Sequence, residues 1–134
     1  MANALVNTVL FNGKRRLVVQ STFLIDTAAE MTDAIAVDKS AFTGPDGTEP
    51  TKFVIEKIEY ALSGIQVLVE FEHTTDDPVA VLDGQGVLDF SQDSKYQGFV
   101  DPASAGTTGD IVMTTLTAAV GDKGSVTFYL RMKD

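Results

Sequence analysis

The most orderly pattern of apolar and polar positions runs from Lys52 to His73, KFVIEKIEYALSGIQVLVEFEH. Two alternating runs flank Ser63-Gly64, a pair suited to the centre of a tight hairpin turn. Folding there sets Leu62 opposite Ile65, Tyr60 opposite Val67, Ile58 opposite Val69, Glu56 opposite Phe71 and Val54 opposite His73. Strand side chains repeat every two residues, so all of these share one largely apolar face. The other face carries Ala61 with Gln66, Glu59 with Leu68, Lys57 with Glu70 and Ile55 with Glu72. The pattern predicts a hairpin with one face against a second layer. A lone hairpin is at best marginally stable, so the rest of the chain must supply that layer.

The flanking sequence supplies strands. Leu5 to Phe11 reads as one, followed by Asn12-Gly13, a strong two-residue turn signal. Lys14 to Asp26 is a long strand rich in β-branched and aromatic residues, with Leu17, Val19, Ser21, Phe23 and Ile25 on one face and Val18 and Leu24 on the other. A short strand is expected at Ala34 to Val37, then a Gly- and Pro-containing loop from Ala41 to Pro50. Val79–Leu82 and Val87–Phe90 read as two short strands around a turn at Asp83-Gly84-Gln85-Gly86. Lys95 to Val100 is a brief extended piece, Asp110 to Thr117 a strand with apolar residues on both sides. Ser125 to Lys133 alternates, with Val126, Phe128, Leu130 and Met132 facing inward. About eight or nine short strands without a helix predict an all-β fold, a jelly-roll-like antiparallel β-sandwich. One domain over residues 1–134 is expected, with a short N-terminal arm over about the first four. Tyr60, Ile58, Val67, Val69, Phe71, Phe128 and Leu130 are expected in its core.

Composition narrows the function classes. With 134 residues and 44% hydrophobic positions, the chain can bury a core. A formal charge of −9 argues against a nucleic-acid surface, since phosphate contacts need clustered Lys and Arg. The basic cluster Lys14-Arg15-Arg16 follows a turn and reads as a charged, aggregation-resistant edge. No apolar run approaches a membrane span, and the N-terminal residues have no secretory-signal pattern. Cysteine is absent, which removes disulfides and thiolate metal sites and fits synthesis and assembly in a cytoplasm.

Candidate chemistry is sparse. His73 is the sole histidine, so the usual zinc ligand sets cannot form within one chain. A Ser-His-Asp arrangement is conceivable, but a histidine ending a strand beside a turn is the ordinary reading. Asp76, Asp77, Asp83 and Asp89 gather oxygens of the kind calcium prefers, without the EF-hand spacing, and Asp before Gly or Pro is ordinary turn chemistry. Gly84-Gln85-Gly86 is not a phosphate loop. No catalytic residue, metal or cofactor is therefore expected. Phe42, Tyr96 and Phe99 fall in loops and are candidate protein contacts, or else fold back over the sandwich ends.

From Phe53 onward the chain resembles a group of small tailed-bacteriophage virion proteins. The resemblance rests on Ile55-Glu56-Lys57-Ile58, Thr75-Asp76-Asp77, and Asp83-Gly84-Gln85-Gly86 leading to Leu88-Asp89-Phe90. It continues through Asp101-Pro102-Ala103-Ser104-Ala105-Gly106, Thr108-Gly109-Asp110-Ile111 and Leu130-Arg131-Met132-Lys133-Asp134. It implies a virion structural protein, of the decoration (cement) type, on the capsid exterior. The implied partners are the major capsid protein and further copies of itself, trimers among them, with neither nucleic acid nor membrane. A neck, tail or fibre component, or a carbohydrate- or cell-surface-binding β-module, would share this composition.

Overall fold

The computed structural model describes residues 4–26, 31–73, 76–90, 98–101 and 109–133. Their strands are β1 (Ala4–Asn12), β2 (Arg16–Leu24), β3 (Ala34–Val37), β4 (Lys52–Phe71), β5 (Asp77–Asp89), β6 (Phe99–Val100), β7 (Ile111–Leu116) and β8 (Lys123–Lys133). One 3-10 turn, Lys39–Ala41, follows β3. All pairings are antiparallel, and the path β1-β2-β8-β4-β7-β3 joins them into one sheet, with β5 and β6 on the other edge of β4. The fold is all-β, as expected. Its two layers belong to one curled, nearly closed sheet rather than to two separate ones.

The expected hairpin at Ser63-Gly64 is not formed. β4 continues through that pair as a 20-residue strand. Its first half pairs with β8, from Lys52 opposite Lys133 to Ser63 opposite Lys123. Its second half pairs with β7, from Gln66 opposite Leu116 to Phe71 opposite Ile111. β5 accompanies both halves along the opposite edge, with an irregularity between Ala61 and Gln66. The apolar pattern does not distinguish the two outcomes. A two-residue turn and a strand that bulges both switch the inward set from Ile58, Tyr60 and Leu62 to Ile65, Val67, Val69 and Phe71. A second switch occurs near Glu56, where Phe53 and Ile55 give way to Ile58 beside a shift in register with β8.

The bend carries β4 and β5 around a corner together. β7 and β8 run end to end beside β4, and residues 117–122 between them lie opposite its bend. Glycine permits the left-handed backbone there: φ is 79° at Gly64 and 72° at Gly84. A side chain on Gly64 would collide with the Asp122 carboxylate, whereas Gly84 faces open space. So β5 also runs unbroken through Asp83-Gly84-Gln85-Gly86, where two short strands were expected. Strands that switch layers through bends are how a sandwich turns its corners. Beyond the bend, Phe71 returns to stack on Phe99, centroids 6.2 Å apart, while Phe99 follows Ile55 in register.

The first hairpin also turns later than Asn12-Gly13 suggests. The Gly13 N–H donates to the Arg16 carbonyl at 2.8 Å, leaving Lys14-Arg15 at the tip. Inside, the expected faces are realised. Leu17, Val19, Ser21 and Phe23 from β2, and Ile25 just beyond it, meet Val126, Phe128, Leu130 and Met132 from β8, all buried. Ile58, Val67, Val69 and Phe71 join them fully buried, and Tyr60 is half-buried against the same cluster. Removing such surface from water contributes about 25 cal/mol per Å², the main force holding the layers together.

Candidate functional site

The sole histidine is brought to two carboxylates. His73 follows β4, Asp77 opens β5, and Asp101 follows β6. The His73 side chain is wholly enclosed, with Nε2 2.6 Å from Asp101 Oδ1 and 3.5 Å from Asp77 Oδ2. Its backbone N–H donates to Asp76 Oδ1 at 3.2 Å. Asp101 is itself buried, and its backbone N–H donates to the Phe53 carbonyl at 3.3 Å. An Asp–His pair of this kind can orient an imidazole for proton transfer. Here the ring has no solvent-facing surface, so a substrate cannot reach it without opening the fold. The free ring nitrogen Nδ1 is buried without a hydrogen-bond partner among the described residues. The pair works as a tie between the segment that follows β4 and the one that follows β6.

A second tie lies alongside. Lys39 donates its backbone N–H to Asp110 Oδ1 at 2.8 Å and its Nζ to Glu49 Oε1 and the Pro50 carbonyl at 3.1 Å each. Glu72 and Gly109 exchange further backbone bonds with this segment: Glu72 N–H to the Asp110 carbonyl at 2.8 Å, Gly109 N–H to the Glu72 carbonyl at 3.1 Å. Burial pushes the Asp110 carboxyl above its ordinary range, against the opposing effect of the Lys39 N–H. Neither Asp101 nor Asp110 is a candidate for chemistry in the sequence: both enter only within the runs that carry the resemblance, and Asp110 as the first residue of an expected strand. Only their pairing with residues far along the chain marks them.

The other acidic candidates disperse. Asp83 sits at the corner and accepts from Gln66 Nε2 at 3.3 Å, while Asp89 lies opposite Lys57 at the far end of β5. Asp76 instead meets Asp33 and Glu70, one oxygen from each lying within 4.8 Å of the others. Partial burial first, and then the charge of Asp76, raise the pKa of both Asp33 and Glu70, so repulsion between neighbouring carboxylates adds to the cost of desolvation. Lys57, expected opposite Glu70, pairs with Glu59 at 3.0 Å and lies over the Tyr129 ring at 4.5 Å.

Of the loop aromatics, Phe42 is half-buried against the core. Phe99 is half-buried between the rings of Phe71 and Phe90, the latter edge-on at 5.7 Å. Tyr96 lies outside the described residues. The two described rings therefore spend most of their surface on the fold.

The larger accessible apolar surface lies elsewhere. β1 pairs only with β2 among the described strands, and it carries Val6, Val9, Leu10 and Phe11, each about half exposed or more. Leu24, opposite Ala4, is exposed beside it. Val6 and Leu24 begin an open cleft of about 680 Å³ that crosses the outer face of the sheet over Thr22, Ser125 and Ala61 towards Gln85. Lys123 is its sole charged lining residue. This surface was not singled out in the sequence, although nine consecutive residues without a charge, Ala4 to Asn12, could have flagged it. Compared with models of known protein families and with curated protein sequences, the chain matches none.

Proposed function

We propose that this chain is a non-enzymatic structural protein of a tailed-phage virion, which binds the outer surface of the mature capsid and stabilises it. The observation that carries this reading is the distribution of apolar side chains the core leaves unused. They concentrate on β1 and the adjoining cleft, a surface suited to burying an apolar segment of another protein. The enclosed His73 supports a role without bond chemistry, because the one imidazole in the chain is committed to holding segments together. The resemblance of the region from Phe53 onward to virion proteins points the same way.

A decoration protein needs only differential binding. It holds the expanded lattice better than the immature one, and the shell gains stability by mass action. An acidic body suits this task, since it coats a shell without adhering to packaged or released DNA. Co-sedimentation with matching heads lacking the protein, expanded and unexpanded, tests the reading. Saturation at hundreds of copies per expanded shell is the expected result. Absence of binding to either shell would overturn it.

A further inference from the structure

We propose that His73, Asp77 and Asp101 bind one divalent first-row transition-metal cation, with zinc as the type case, which clamps the end of β4, the start of β5 and the end of β6. The usual zinc sets need a second histidine or a cysteine, and the sequence has neither. The fold supplies two carboxylates in their place. One ligand atom from each of the three residues lies within 4.8 Å of the other two. One imidazole with two carboxylates is a donor set for such a cation, since magnesium and calcium favour oxygen alone.

The unmet need is at Asp77 Oδ2. This oxygen is shielded from solvent and has no hydrogen-bond partner among the described residues, although it lies 3.5 Å from His73 Nε2. An ionised oxygen withdrawn from water without a donor is costly. Even a charged His73 brings one positive charge to two carboxylates. More negative charge stands beside them: Asp76, which accepts from the His73 N–H, gathers with Asp33 and Glu70. The nearby Lys39 ammonium is engaged by Glu49 and the Pro50 carbonyl. A dication supplies the missing charge.

The geometry admits one after a small adjustment. Metal bonds of about 2.0–2.2 Å set neighbouring ligand atoms about 3–3.5 Å apart. The separation of Nε2 from Asp77 Oδ2 already suits this. The 2.6 Å contact of Nε2 with Asp101 Oδ1 is bridged by a proton, and it opens by about 0.5 Å as the cation takes that proton's place and releases it to water. Nδ1 lacks a partner among the described residues before the exchange, so the exchange creates no new unpaired group. The Asp77 side chain is 26% exposed, which gives the ion a way in and a water the fourth position.

A single histidine makes the test direct. The full chain, stripped by a chelator and titrated with Zn2+ in a calorimeter, is expected to take up one ion. Its melting temperature is expected to rise by at least about 5 °C at about a hundred times the dissociation constant, because the site exists only in the folded state. Ca2+ is expected to bind at least tenfold more weakly. In nitrogen NMR the lone imidazole should show Zn2+ on Nε2 and the proton on Nδ1. Asp77→Asn keeps the shape and breaks no hydrogen bond of Oδ2, so it is expected to leave the metal-free melt unchanged and weaken Zn2+ at least tenfold. Glu70→Gln, in the exposed carboxylate group, is expected to leave Zn2+ affinity unchanged. No Zn2+ uptake at tens of micromolar, uptake undiminished by Asp77→Asn, or uptake lost with Glu70→Gln overturns the proposal.

Discussion

At one end of the sandwich, the two long strands β4 and β5 pass around a corner through Gly64 and Gly84, beside residues 117–122, which join β7 to β8. At the other, separate chain segments are tied by side chains around His73, Asp101 and Asp110. The corner is closed by backbone, with bonds such as Ile25 N–H to the Asp122 carbonyl at 2.8 Å and Gly121 N–H to the Ile25 carbonyl at 2.9 Å. Its cost is conformational and falls on glycines. The polar end joins residues as distant as 28 positions for His73 with Asp101 and 71 for Lys39 with Asp110. Its cost is desolvation, offset only while every partner is present. The two ends should therefore fail differently.

The largest effect is expected at the polar end. Asp101→Ala leaves the enclosed His73 Nε2 without its 2.6 Å partner, and removing one member of a buried pair costs about 3 kcal/mol or more. Urea denaturation measures this, and a loss under about 1 kcal/mol would show that the tie is not what closes this end. At the corner, Gly64→Ala combines a left-handed φ with a collision against Asp122, for about 2 kcal/mol. Gly84→Ala has a similar φ and open space around it, so about 1 kcal/mol is expected. If thermal melts rank Gly84→Ala as the more damaging of the two, steric crowding at Gly64 is not part of its role.

The smallest effect tests the surface carboxylates beside the polar end. Glu70 has a raised pKa, from partial burial and then the charges of Asp76 and Asp33. The folded state thus holds this proton more tightly than the unfolded chain. Its ionised form weakens folding above the raised pKa, and the penalty fades as pH falls through that value and below the ordinary 4.5. Glu70→Gln should accordingly melt slightly higher than the parent at pH 7, with the advantage gone near pH 4. An advantage that persists in acid would point to packing rather than charge.

Strand faces were legible before the fold was known, because burial obeys a period of two wherever a strand is regular. Phe128 and Leu130 are expected inward and lie inward, and Leu17, Val19 and Phe23, expected together on one face, are buried together. The corner was legible as glycine but not as a corner. Ser63-Gly64 and Asp83-Gly84-Gln85-Gly86 carry the turn residues of hairpins, and only pairing with distant β7 and β8 shows β4 passing straight through. The polar end was less legible still. His73 was singled out as unique, but nothing near it in sequence points to Asp101. Among the contact candidates, Phe42 and Phe99 are turned largely inward, while the exposed apolar strand β1 was read as one strand among others.

The sequence by itself determined the all-β class, the alternation that fills the core and the acidic, cysteine-free surface, since each follows from residues near one another or from their sum. Tertiary structure decided where strands change layers, which carboxylates meet the histidine and which apolar strand is left uncovered. Those outcomes depend on long-range pairing, and a local pattern is compatible with more than one partner until the whole sheet competes for it.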